Sequence, residues 1–240
     1  MKKSITYLAC ALSLGLGLSG GLQAQKPRDN PQIVQSEAFL NSHPDLKYRN
    51  MGMSNYLKGR FEEAMVHFKR AAYYADKPSQ GMIGEMHWKG EGVPINKAEA
   101  YAWLDLAAER QYPDLLVIRE RYWKGLSEAE REKAVSIGKI IYEKYGDAVA
   151  KNRLEIKLRM ARMNTTGSRT GFTGSLKIYL AGPGGQAISV DGSQFYQEKY
   201  WKPEQYWQWQ DTPWVNSPTG KVKTSDLMPV KSKQETDKQK

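Results

Sequence analysis

A three-residue pattern closes three successive segments in the first half of the chain. The segments end in Leu57-Lys58-Gly59, Trp88-Lys89-Gly90 and Trp123-Lys124-Gly125, with the glycines 31 and then 35 residues apart. An alanine-spaced pattern recurs in register behind two of them: Ala64, Phe68, Ala71 and Ala72 match Ala100, Leu104, Ala107 and Ala108 at a constant offset of 36. Periods of this length are the signature of stacked helix pairs, because a single pair cannot bury its apolar face alone. Glycine supplies the left-handed conformation that ends the first helix of each pair. Alanine lets two helix backbones approach closely. Phe68, Trp103 and Leu104 then fill the space between neighbouring pairs.

The rest of the chain divides around this core. Residues 1–24 read as a signal peptide: Lys2 and Lys3, an apolar run from Ile5 to Leu18, then small residues ending at Ala24. The run is too short and too glycine-rich for a comfortable membrane span. Cys10, the only cysteine, would leave with the signal, so the mature chain would have no disulfide or thiol chemistry. The segment before Cys10 is too short to make it a lipid-anchored cysteine. Export to the periplasm is therefore expected, with secretion as the alternative, and the mature chain has no segment of transmembrane length.

Residues 25–35, polar with Pro27 and Pro31, read as a flexible lead-in, and residues 36–164 as the helical repeat domain. Residues 165–215 shift abruptly toward Gly, Thr, Tyr and Trp and read as a small β-containing, aromatic-rich module. Residues 216–240 are lysine-rich and nearly without large apolar side chains, so disorder is expected there. The expected fold class is mainly α: a stack of α/α hairpins followed by that C-terminal module.

The second repeat is the most complete. Ile83-Gly84 stands in its first helix, Gly90-Glu91-Gly92-Val93-Pro94 forms its loop, and Lys97-Ala98, Trp103 and Ala107-Ala108 follow. This unit closely resembles the Sel-1-like repeat (SLR), a relative of the tetratricopeptide repeat. Its neighbours depart from the pattern. Gly59-Arg60-Phe61 makes a shorter loop, and the third unit keeps Tyr122-Trp123-Lys124-Gly125 but lacks the second glycine and the paired alanines. Ser127-Glu128-Ala129-Glu130 has the form of a capping box and predicts a terminal helix over Glu128–Tyr145. A further helix over Asp147–Met163 is expected to cover the open end. The resemblance covers residues 48–145. It implies a protein-interaction scaffold or adaptor with a concave face built from the first helices. The candidate partner-binding residues on that face are Tyr56, Lys58, Glu85, His87, Lys89, Arg119 and Tyr122.

In the C-terminal module, residues 175–180 alternate polar and apolar side chains, as a half-buried strand would. Gly182-Pro183-Gly184-Gly185 predicts a turn, 187–190 a returning strand, and Asp191-Gly192 a second tight turn. Eight aromatics follow within twenty residues, from Phe195 to Trp214. They serve either as a core or strap folded back onto the helices, or as an exposed strip that stacks on sugars. In the second case Tyr206, Trp207, Trp209 and Trp214 are the candidate glycan-stacking residues.

No catalytic constellation emerges. His43, His67 and His87 have no metal-ligand spacing, and residues 25–240 contain no Gly-x-Ser-x-Gly elbow. Thr166-Gly167-Ser168-Arg169-Thr170-Gly171 follows a helix and does not open one, so it reads as a linker and not a phosphate cradle. No catalytic residue, metal or cofactor is expected. The net charge is +10, or +8 without Lys2 and Lys3, and positive charge gathers on Lys151, Arg153, Lys157, Arg159 and Arg162 and on the tail. Such a surface favours anionic partners, and export would exclude nucleic acid. The expected partner is a protein of the cell envelope, with a cell-wall glycan as the alternative.

Overall fold

The computed structural model describes residues 29–163, 176–182 and 185–215. The signal-like segment, the Gly-rich linker at 166–171, residues 183–184 of the expected turn and the tail lie outside the described residues. Three pairs of helices follow one another. Two of them pack as hairpins, α3 (Pro44–Leu57) with α4 (Phe61–Ala72) and α5 (Lys77–Lys89) with α6 (Lys97–Ala107), whereas α7 (Pro113–Lys124) and α8 (Glu128–Tyr145), expected as a third hairpin, both pack on α6 and not on each other. The last helix of the array is α9 (Asp147–Met163).

Close backbone approach explains the small residues. A Cβ on Gly52 of α3 would sit 2.6 Å from the Phe68 ring of α4. One on Gly84 of α5 would sit 2.7 Å from Leu104 Cγ and 2.9 Å from the Ala100 carbonyl of α6. Ala64, Phe68, Ala72, Ile83, Met86, Trp103 and Leu106 meet in one buried cluster between the first two pairs. Gly90 ends α5 in the left-handed conformation (φ 78°), as the repeat predicts. Gly92 (φ 70°) brings the loop against α4, where a Cβ would lie 2.6 Å from the Phe61 carbonyl carbon. Gly125 differs from the expectation, because its backbone is right-handed (φ −83°). Space is what it supplies: the Trp88 ring lies 3.0 Å from where its Cβ would be. The Ser127 capping box forms in full, with Ser127 N–H donating to Glu130 at 2.8 Å and Glu130 N–H to Ser127 Oγ at 3.4 Å.

The segment read as a flexible lead-in is instead ordered from Asn30. Helix α1 (Pro31–Val34) has Asn30 as its N-cap and buries Ile33, and α2 (Glu37–Leu40) buries Phe39. Both pack on the C-terminal module. There β1 (Lys177–Ala181) pairs antiparallel with β2 (Ala187–Asp191), placing Leu180 opposite Ile188 and Ile178 opposite Val190. No tight turn follows at Asp191-Gly192. Asp191 caps α10 (Gly192–Phe195) by accepting from Ser193 N–H at 2.7 Å. Two more helices, α11 (Glu198–Trp201) and α12 (Pro203–Val215), complete the module. Ile33, Phe39, Leu46, Leu180, Val190, Phe195, Tyr200 and Trp201 form one shared core. The two ends of the described chain are thus joined by burial, the dominant favourable term in such packing.

Candidate functional site

On one face of the array, side chains of α3, α5 and α7 are tied together. Tyr56 of α3 donates its hydroxyl to Glu91 at 2.8 Å, in the loop after α5. Tyr122 of α7 donates to Glu85 of α5 at 3.0 Å. Lys89 reaches the same Glu85 at 2.7 Å, which raises the ammonium pKa. The Trp88 ring stacks on Tyr122 with centroids 4.1 Å apart, and the Lys97 ammonium sits 5.4 Å from the Trp88 ring. Glu85, Trp88 and Lys89 share a helix face by their i, i+3 and i+4 spacing. Burial and the nearby Glu85 push the Tyr122 phenol up, and burial with the Glu91 contact does the same to Tyr56. These hydroxyls are therefore donors at neutral pH. The rim beside Tyr56 is apolar, with Leu57 77% exposed and Met53 37%.

Of the expected contact residues, Tyr56, Glu85, Lys89 and Tyr122 come together here, although Tyr122 is buried. Lys58 is exposed beside the cluster. His87 does not belong to the face. Two residues on from Glu85 is a turn of about 200° on a helix, and His87 is buried with its Nε2 3.4 Å from Glu99 of α6. Burial pushes its imidazole pKa down, against the pull of Glu99. Arg119 turns toward α6 and is engaged by Asp105 at 3.6 Å and Glu120 at 2.6 Å. Glu91 and Trp88 were not foreseen; the i, i+3 spacing of Glu85 and Trp88 was the available signal.

The aromatics expected as a sugar-stacking strip fall on α12, so their spacing is helical and they point in different directions. Tyr206 is fully buried and donates to Asp45. Trp207, 9% exposed, donates to Glu155 of α9 at 3.0 Å. It lies between the Arg110 guanidinium at 4.7 Å and the Lys151 ammonium at 5.0 Å. These two are structural residues and cannot stack on a sugar, because their rings are already covered. Trp209 is half-buried, with its indole N–H on Asp29 at 2.8 Å, and Trp214 is stacked on Tyr112 at 5.7 Å. Both border a groove of about 320 Å³ between α1, α3 and α12, which Gln35, Arg49, Asn50 and Gln210 also line.

Beneath α12 lies a buried set of charges at the junctions between pairs. Arg49 pairs with Asp76 at 3.2 Å. Lys77, fully buried, meets Glu109 at 2.6 Å and Asp147 at 3.0 Å. His43 places both ring nitrogens 2.8 Å from carbonyl oxygens, those of Phe39 and Tyr200. Burial lowers its pKa to about 4, the two carbonyl contacts acting in the other direction. Among the described residues no cluster of His, Cys, Asp and Glu is arranged to hold a metal, and no helix is long and apolar enough to cross a membrane.

No family model matches the chain, and no curated protein does. Among solved structures it is similar to a protective antigen present in uropathogenic Escherichia coli strains, described as displaying an SLR fold. The identity is 21% and the TM-score 0.40, over 52% of this chain and 26% of that one, so the likeness spans about a quarter of the antigen's length.

Proposed function

We propose that this protein is a non-catalytic interaction scaffold of the bacterial cell envelope that holds a protein partner on the α3–α5–α7 face. The observation that carries this reading is the pair of ties Tyr56–Glu91 and Tyr122–Glu85–Lys89. They fix one surface across α3, α5 and α7, and a surface ordered before binding loses less entropy when a partner docks. Leu57 and Met53 offer apolar area beside the polar ties, the mixture that binding surfaces use. The envelope location rests on the signal-like residues 1–24. Affinity capture from an envelope extract should recover a discrete protein with the wild type. The double variant Tyr56→Ala, Lys89→Glu should lose it, and retention by that variant would sink the reading.

A second reading is favoured by the groove at Trp209 and Trp214, where two indoles stand beside amide and guanidinium groups. That combination suits a cell-wall glycan, with ring faces for the apolar side of a sugar and amides for its hydroxyls. Retention on purified cell-wall polymer should then be lost in Trp214→Ala. No retention of the wild type removes this reading.

A further inference from the structure

The outward side of α9 is apolar where a solvated helix face would be polar. Val149, Ile156, Met160 and Met163 are 40%, 43%, 54% and 83% exposed, whereas Ala150, Leu154 and Leu158 on the inner side are fully buried. Steps of seven, four and three residues separate the four exposed side chains. Those steps are the d, d, a and d positions of a heptad seam. The one remaining a position is Arg153. Its guanidinium is drawn back, donating to the Lys144 carbonyl at 2.6 Å and the Tyr73 carbonyl at 3.2 Å while lying 3.9 Å from the Tyr73 ring. The seam spans about 21 Å, with Arg153 as its one polar position. Its flanking e positions hold the buried Ala150 and the exposed Lys157, and its g positions the exposed Asn152 and Arg159, with Arg159 3.9 Å from Glu155. At its far end Lys157 and Met160 also line a groove of about 420 Å³ beside Ile178, Tyr196 and Trp201, with room for a side chain of an incoming helix.

We propose that this face docks an amphipathic helix of another protein, apolar at its own a and d positions and acidic at its e and g positions. Heptad geometry selects a helix, and Lys157 and Arg159, one on each side of the seam, select its charge. The lysine-rich tail of residues 216–240, with six lysines against Asp226, Glu235 and Asp237, has the wrong sign. A second copy meeting α9 against α9 would oppose Lys157 and Arg159 to like charges. A lipid surface calls for an apolar face about 100° wide or more, and at 100° per residue these four side chains span only about 60°. The α9 seam shares no residue with the α3–α5–α7 face, so either surface can fail without the other.

The test uses the full chain and a synthetic peptide of about 20 residues with Leu at a and d and Glu at e and g. Its counterpart carries Lys at e and g. Calorimetry should show binding of the acidic peptide, no binding of the basic one, and affinity about tenfold lower or worse in Ile156→Glu and in Met160→Glu. Both substituted residues are exposed, and thermal unfolding by circular dichroism checks that the variants stay folded. Absence of acidic-peptide binding, equal binding of the two peptides, or undiminished binding by both variants would overturn the proposal. Co-sedimentation with vesicles of phosphatidylcholine and phosphatidylglycerol that both variants abolish would overturn it in favour of a membrane surface. Self-association abolished by the same variants would overturn it in favour of a second copy.

Discussion

The guanidinium of Arg110 grips the carboxylate of Asp147 through two parallel hydrogen bonds, Nε to Oδ2 at 2.6 Å and Nη2 to Oδ1 at 3.0 Å. Arg110 comes from the turn between α6 and α7, Asp147 from the start of α9, and Nη2 also reaches the Ala75 carbonyl at 3.0 Å. One side chain thus joins three junctions of the stack. Arg110→Ala leaves Asp147 half-buried with Lys77 and Lys151 as its remaining cationic partners. Urea unfolding should show a loss of about 1.5–3 kcal/mol, the usual worth of hydrogen bonds to a charged group. Arg110→Lys should recover only part, since an ammonium cannot make the two-pronged contact.

The same junctions contain two carboxylates that respond to pH in opposite senses. Burial alone would raise Asp147, but the Arg110 hydrogen bond and the charges of Arg110, Lys77 and Lys151 hold it far below the ordinary 3.8. A depressed carboxylate contributes stability above about pH 4 that is lost as the pH falls. Burial, with Asp76 nearby, raises Asp45 to about 7. A raised carboxylate contributes stability that is complete below about pH 4 and is lost as the pH rises toward 7. Asp45→Asn should therefore flatten the decline between pH 4 and 7 and leave the acid limb unchanged, as read from urea midpoints across pH.

Two glycine substitutions should act with opposite signs. Gly84→Ala drives a methyl group into Leu104 and the Ala100 carbonyl, and overpacking of this kind costs about 1–3 kcal/mol. Gly138 lies within α8 with nothing within 4 Å of its would-be Cβ. Gly138→Ala should add about 0.5–1 kcal/mol through helix propensity alone. Thermal midpoints of the two variants, measured side by side, decide the matter.

Trp207 holds α12 on the helical stack through Glu155, Arg110 and Lys151. Trp207→Ala should cost about 3–5 kcal/mol. Because the C-terminal helices share cores with α1–α3 and α9, far-ultraviolet circular dichroism and tryptophan fluorescence of the wild type should report one coincident transition. Two separate transitions would mean that the C-terminal helices are an independent unit.

Local rules were enough for the helix pairs. The spaced glycines and alanines determine where backbones turn and where they touch, and the Ser127–Glu130 box caps its helix with no help from distant residues. The hydroxyl ties of Tyr56 and Tyr122 lay within reach of the same periodicity, since a residue's place on a helix fixes the side it faces. Tertiary structure alone decided the remainder. The run Tyr206–Gln210 alternates like a strand, yet it is helical because α12 must bury Tyr206 and Trp207 against residues some fifty and more positions away. His87 is buried toward α6, and at Gly125 it is the Trp88 ring, not the backbone conformation, that leaves no room for a side chain. Long-range burial outweighs local preference in each case: covering a large ring stabilises by more than the few tenths of a kcal/mol by which short-range propensities differ.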